Sequence, residues 1–386
     1  MLGASKKLIV GLVSTGMYFL AMQLVMSVLV RYSRDLGISL AGTSFIWSLP
    51  NLVAFILRPL AGYIADRTSS YLAMSLGSLF MMAASITYST SSSFQELLIG
   101  RVLQGAGAAY FISPSIAAVA TAASEKAGTA LGVRSMLISL ASIVAPPIAG
   151  VVVDSVGYLP VFAIAASLTG VLAVLNVFEA KRSITARRAG GIPGAGWREA
   201  LNKIVVMMML AALFNGVLFL SLSGVLQAHY RDLGYEAKTY GYYLMLFGLS
   251  STVSRYIAGK LSTQKNPAVI ALVGHAITVL AVYMLKEMYL APSSYVVALV
   301  YGFGMGLTVP TQQLIVTSSV PEEVRNRAIS IYAMGYDLGG FIGPMVYGYI
   351  ASAYGYNTSY QYMVLIPLAA LMLMTYLTLK VSRGRR

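Results

Sequence analysis

Apolar stretches of helix-spanning length recur along the whole chain, separated by short polar breaks. A hydrocarbon layer about 30 Å thick takes roughly 20 apolar residues per helical crossing. On that measure the pattern predicts helices over 8–30, 42–65, 72–90, 95–122, 129–153, 159–178, 204–227, 239–261, 267–286, 294–317, 328–351 and 359–381. Twelve crossings put both termini on one side of the layer. The expected fold class is an all-α membrane protein of two pseudo-symmetric six-helix bundles.

That two-fold organisation rests on an internal repeat. Arg34-Asp35-Leu36-Gly37 returns as Arg231-Asp232-Leu233-Gly234, and Arg58-Pro59-Leu60-Ala61-Gly62 returns at the same offset as Arg255-Tyr256-Ile257-Ala258-Gly259. Further on, Ala145-Pro146 through Gly150, Gly157 and Tyr158 returns as Gly343-Pro344 through Gly348, Gly355 and Tyr356, one residue later. The longest polar stretch, 179–203, is rich in glycine and basic residues and reads as a cytoplasmic linker. The expected domains are therefore 1–178 and 204–386. Parallel repeats of this kind place a solute site near the midplane between the halves.

Composition agrees with the pattern: 58% of residues are apolar or aromatic, 10% are charged and mean hydropathy is +0.74. A protein folded in water has too little surface to hide so much apolar material, whereas one bathed in lipid need not hide it. The net charge of +14 raises the question of nucleic acid, but the basic residues fall in alternate loops. Lys6, Lys7, Arg67, Lys126, the linker, Lys260, Lys265, Arg325, Arg327 and the C-terminal tail share one side; Arg31, Arg34, Arg231, Lys238 and Lys286 lie on the other. By the positive-inside rule the first side is cytoplasmic, and the expected location is the plasma or inner membrane. Lys6 and Lys7 followed by 8–30 resemble a secretory leader, yet the run is too long for one and is read as the first helix. There are no cysteines and two histidines, His229 and His275. No disulfide, metal site, cofactor or catalytic cluster is expected, and the chain is not read as an enzyme.

Three short motifs carry a family resemblance. Gly62-Tyr63-Ile64-Ala65-Asp66-Arg67, between the second and third helices, matches G-x-x-x-D-R, although Thr68-Ser69-Ser70-Tyr71 stands where a further basic residue is usual. Arg101-Val102-Leu103-Gln104-Gly105 in the fourth helix matches R-x-x-Q-G. Ala145-Pro146-Pro147-Ile148-Ala149-Gly150 in the fifth is a variant of G-P-x-x-G-G with alanine at two glycine positions. Together with the repeat, these resemble the major facilitator superfamily, most closely its drug and sugar efflux members that exchange cargo for protons. The resemblance implies that Gly62 lets two helices approach. It also implies that Asp66, with Arg67, caps the helix beginning near Ala328 and so holds the inner gate. Gly105 and Gly259 are expected to serve helix packing, and Pro146 with Gly150 to form a hinge.

Asp337 is an acid about ten residues inside the eleventh helix. In hydrocarbon it must either take up a proton or meet a cation. It shares a helical face with Gly340 and Pro344. Arg58 lies at similar depth in the second helix, so Arg58 and Asp337 are expected to pair. Arg101, also inside a span, joins them as a candidate coupling residue. In the family the first, fourth, seventh and tenth helices line the cavity. The candidate lining is then Ser14, Tyr18 and Met22; Gln104, Phe111 and Ser115; Asn215; and Tyr301, Met305, Thr308 and Gln312. This mixture suits an amphipathic or neutral small molecule, or an anion held at Arg101. Proton-coupled efflux by a monomer is the expected activity. Uptake or facilitated diffusion of a small solute is the alternative, and a non-transporting receptor or enzyme the remote one.

Overall fold

The computed structural model describes residues 2–123, 127–184, 200–321 and 324–383; the side chains of 2–5, 66, 127–128, 182–184, 326 and 380–383 lie outside that description. The described backbone is almost wholly helical, in the order α1 Leu2–Asp35, α2 Leu40–Arg67, α3 Ser70–Thr90, α4 Phe94–Ala123, α5 Ala127–Val156 and α6 Tyr158–Ile184. There follow α7 Lys203–Asp232, α8 Ala237–Leu261, α9 Pro267–Leu285, α10 Ser294–Ser318 and α11 Arg325–Tyr354. The twelfth crossing is broken at Val364 into α12 Tyr356–Met363 and α13 Leu365–Arg383. Among the described residues ten crossings are long and apolar enough to qualify alone. The other two, α8 and α11, hold Arg255 and Asp337 and many Tyr, Gly and Ser residues, which dilute their hydropathy.

Helix ends follow local chemistry. Ser39 and Ser69 accept from the backbone N–H of Gly42 (3.1 Å) and Tyr71 (3.2 Å) at the starts of α2 and α3, the usual role of an N-cap hydroxyl. Asn266 does the same for Ala268 (3.0 Å) ahead of Pro267. The repeat reaches the backbone itself. Gly37 and Gly234 both have φ of +78°, and Gly157 and Gly355 have +86° and +88°. All four end a helix in a conformation that a Cβ would strain. The N–H groups of Gly37 and Gly234 donate to the carbonyls of Arg34 and Arg231, each at 3.0 Å.

The chain forms two compact units, one of residues 1–192 with 231–245, the other of 193–230 with 246–386. In the first, the core includes Tyr18, Met74, Met81, Tyr88, Phe111 and Phe162. Helix α4 runs between α2 and α3. A Cβ at Gly105 would fall 2.7 Å from the Pro50 carbonyl of α2, and one at Gly107 3.0 Å from the Gly77 carbonyl of α3. The second unit repeats this arrangement at the repeat's own offset, with Gly302 against the Phe247 carbonyl of α8 and Gly304 2.8 Å from the Gly274 carbonyl of α9. Without a hydrophobic drive between helices in lipid, such close backbone approach is what holds them. Helix α11 also packs on α7 through Gly335, Gly339 and Gly343, which face the carbonyls of Met209, Leu213 and Val217. Gly340 lies 3.1 Å, through its N, from a Cβ built at Gly216.

The close approach expected at Gly62 and Gly259 is not made within their units. A Cβ at either would meet nothing within 4 Å. The neighbours Ala61, Ala65 and Ala258 are buried, so it is the face carrying Gly62 and Gly259, not the whole helix end, that meets nothing within its unit.

Candidate functional site

Arg101 shows how a guanidinium can be housed inside a span. It is 0% exposed and its donors are taken up by acceptors of its own unit. Nε donates to the Ile46 carbonyl (2.8 Å), Nη1 to Gln104 Oε1 (2.6 Å) and Nη2 to the Trp47 carbonyl. The sequence supplies the first acceptor, because Pro50 has no N–H to give the carbonyl four residues back and so leaves Ile46 open. The guanidinium also lies 5.1 Å from the Trp47 ring centroid. Tyr88 completes the group by donating to Gln104 Oε1 at 2.7 Å.

Two further arginines converge on one turn of α4. Arg134 of α5 donates through Nη2 to Ser115 Oγ (2.7 Å), with the Ile112 carbonyl at 3.4 Å. Arg58 of α2 donates through Nη1 to Ser113 Oγ (3.3 Å). Sequence reading had singled out Arg58 but passed over Arg134. The signal was available, since a charged residue seven positions inside an apolar helix is costly wherever it occurs.

In the second unit a comparable group is uncharged and mutually bonded. Gln312 Oε1 accepts from Asn215 Nδ2 (2.9 Å) and the Tyr332 hydroxyl (3.0 Å), while its Nε2 meets His275 Nε2 at 3.0 Å. Asp337 is buried, 5% exposed, on α11. Arg255, the repeat partner of Arg58, lies on α8 within electrostatic range of the Tyr332 and Tyr336 hydroxyls.

The remaining candidate lining residues are also engaged. Ser14 donates to Asn176 Oδ1 (3.2 Å). Tyr18 stacks on Phe111 with centroids 3.8 Å apart and planes at 4°. Met22 packs half-buried against the core. Thr308 returns its hydroxyl to the Gly304 carbonyl (2.8 Å), the Tyr301 ring lies 5.1 Å from that of Phe247, and Met305 is buried. Arg67 lies 4.5 Å over the Tyr63 ring. The side chain of Asp66 is outside the described residues.

A cluster not foreseen from sequence lies at helix ends gathered in the first unit. Arg34 Nη2 meets Asp232 Oδ2 at 2.9 Å and Arg231 Nε meets Asp35 Oδ1 at 2.7 Å. The two Arg-Asp-Leu-Gly copies thus exchange carboxylates. The Tyr158 hydroxyl also donates to Asp35, and Arg31 to the Tyr235 carbonyl. Beside them, Asp154 at the end of α5 accepts from the N–H groups of Ala237 (2.7 Å) and Lys238 (2.9 Å). It thereby caps the positive end of α8. Glycine makes the contact close, for a Cβ at Gly150 would lie 2.5 Å from Lys238 Cα, and one at Gly241 2.6 Å from the Pro146 carbonyl.

Comparison with known proteins bears on this arrangement. A family model described as Major Facilitator Superfamily matches residues 11–344. The multi-drug resistance efflux pump PmrA homolog of Lactococcus lactis subsp. lactis is 22% identical over 352 residues, covering 87% of this chain and 86% of its own. Multidrug resistance protein MdtG of Proteus mirabilis is 22% identical over 355 residues, covering 88% and 87%. Among solved structures, the nucleoside transporter NupG superposes with a TM-score of 0.74 at 13% identity, over 96% of this chain and 98% of that one. A bacterial homolog of the human lysosomal transporter Spinster gives 0.78 at 14% identity, over 96% of both chains.

Proposed function

Because this chain belongs to the major facilitator superfamily, we propose that it exports small organic molecules in exchange for protons, alternating access between the two membrane faces. Asp337 carries the reading. It is an acid buried inside a span, where protonated and ionised states can both be reached only if a cation or water is within its reach in one of them. In this proposal Arg58 is that cation, and proton binding to Asp337 loosens their attraction. The efflux direction is supported by the names of the relatives that match across most of the chain and by the proline-glycine pattern of α5. Both termini are cytoplasmic, following the basic loops, and the monomer is the working unit.

The exchange of carboxylates between Arg34–Asp35 and Arg231–Asp232 serves as the outer latch. These pairs, together with the Asp154 cap, hold residues 231–245 in the first unit, and release to the outside requires that segment to leave. Everted vesicles with an imposed proton gradient test the proposal. Gradient-driven accumulation of an amphipathic dye is expected for the wild type. Asp337→Asn is expected to abolish the gradient dependence while leaving dye counterflow. Undiminished gradient-driven transport in Asp337→Asn would end the coupling role, and accumulation only in right-side-out vesicles would favour uptake.

A further inference from the structure

The two units carry one helix triad in two chemical versions. At the repeat's offsets, Tyr18, Ser115 and Arg134 of the first unit correspond to Asn215, Gln312 and Tyr332 of the second. In the second unit the three side chains bond one another, with Gln312 linking the other two. In the first, the corresponding contact is made between Arg134 and Ser115, and the match ends there. Arg134 Nε and the Tyr18 hydroxyl are both buried with no hydrogen-bond partner. Arg134 is 6% exposed, and among the described residues no carboxylate pairs with it. It also meets the Ile112 carbonyl at 3.4 Å and lies 6.0 Å from the centroid of the Phe19 ring.

Arg101, in the same unit, shows that this chain can satisfy a buried guanidinium with its own acceptors. Arg134 has not been satisfied in that way. A desolvated cation with an idle N–H, fixed by one serine and paired with no acid, is a receptor for an external oxyanion. Arg58 brings a second guanidinium to the same turn of α4 through Ser113. We infer that Arg134, positioned by Ser115, binds the carboxylate, sulfonate or phosphate head of an amphipathic organic anion. The apolar remainder of such a ligand fits the aromatic surroundings of Phe19 and of Tyr18 stacked on Phe111. An inside-negative membrane potential drives an anion outward, the same direction as the proposed export.

The inference rests on the transport reading only in taking the bound anion as cargo, so binding is measured without any gradient. The full-length protein in nanodiscs is titrated by calorimetry with naphthoate, naphthalenesulfonate and naphthyl phosphate, and with neutral naphthalenemethanol as the matched control. At least one anion is expected to bind about tenfold or more tightly than the alcohol. Arg134→Gln is expected to remove that preference and leave alcohol binding unchanged, whereas Arg134→Lys keeps part of it. Should Arg134→Gln not fold, Ser115→Ala replaces it, with a roughly three- to tenfold weakening confined to the anions. Equal binding of anions and alcohol by the wild type, or an intact preference in these variants, overturns the inference. Anion binding that survives while everted vesicles show no proton-driven export sinks the efflux reading and leaves this site standing.

Discussion

Arg34 and Asp232, far apart in the chain, meet at 2.9 Å, and the second copy of the same tetrapeptide returns the contact from Arg231 to Asp35 at 2.7 Å. Each pair is partly exposed and is worth about 0.5–1 kcal/mol by itself. A latch of this strength can be opened by transport energy. Reversing one charge, as in Arg34→Asp, replaces an attraction by a repulsion, while Arg34→Asp with Asp232→Arg restores it. The chain has no cysteine, so a cysteine placed at Tyr235 reports access directly. Maleimide labelling is expected to rise about fivefold or more in the single variant and to return towards wild type in the double. Equal labelling in all three would remove the latch.

Gly150 is expected to be intolerant of any side chain. A methyl group there would lie 2.5 Å from Lys238 Cα, so Gly150→Ala must push the start of α8 away from α5. The Asp154 cap then fails with it. Labelling at residue 235 is expected to increase in Gly150→Ala, and Asp154→Ala is expected to cost about 1 kcal/mol of cap stability, a several-fold change in the same assay. Wild-type labelling in Gly150→Ala would show that the close approach is not held in the membrane.

Replacing Arg101 by lysine keeps the charge and loses the fork. One ammonium cannot serve Ile46, Trp47 and Gln104 together as the guanidinium does. The expected loss is about 1.5–3 kcal/mol, seen as a lower unfolding temperature in detergent. An unchanged melting temperature would contradict the housing described for this residue.

Gln312→Leu removes the hub of the second unit. Asn215, Tyr332 and His275 each lose a buried partner, at about 1–3 kcal/mol for each group left unsatisfied. A large drop in thermal stability is expected, read as a lower unfolding temperature in detergent. An unchanged unfolding temperature would show that these three contacts are not held in the membrane.

Much of this could be read from the chain alone. The twelve crossings fall within six residues of their expected ends, because lipid imposes a minimum apolar length on every span. The Arg-Asp-Leu-Gly repeat is matched by the backbone, since Gly37 and Gly234 both take a φ of +78° that few residue types accept. The R-x-x-Q-G motif named two residues, Arg101 and Gln104, that do meet, since a spacing of three places them on one helical face.

What the sequence determined, then, was whatever depends on the residue and its near neighbours: span length, polarity, helix ends, the repeat, and which charges are expensive. Which partner each expensive charge finds was decided by tertiary structure. Arg101 is satisfied by a carbonyl that Pro50 opens on another helix, Arg134 is left with an idle N–H, and Asp154 caps a helix that begins far along the chain. No local pattern marks those pairings. They depend on which backbone groups close packing brings within about 3 Å, and that distance is fixed only when the helices have met.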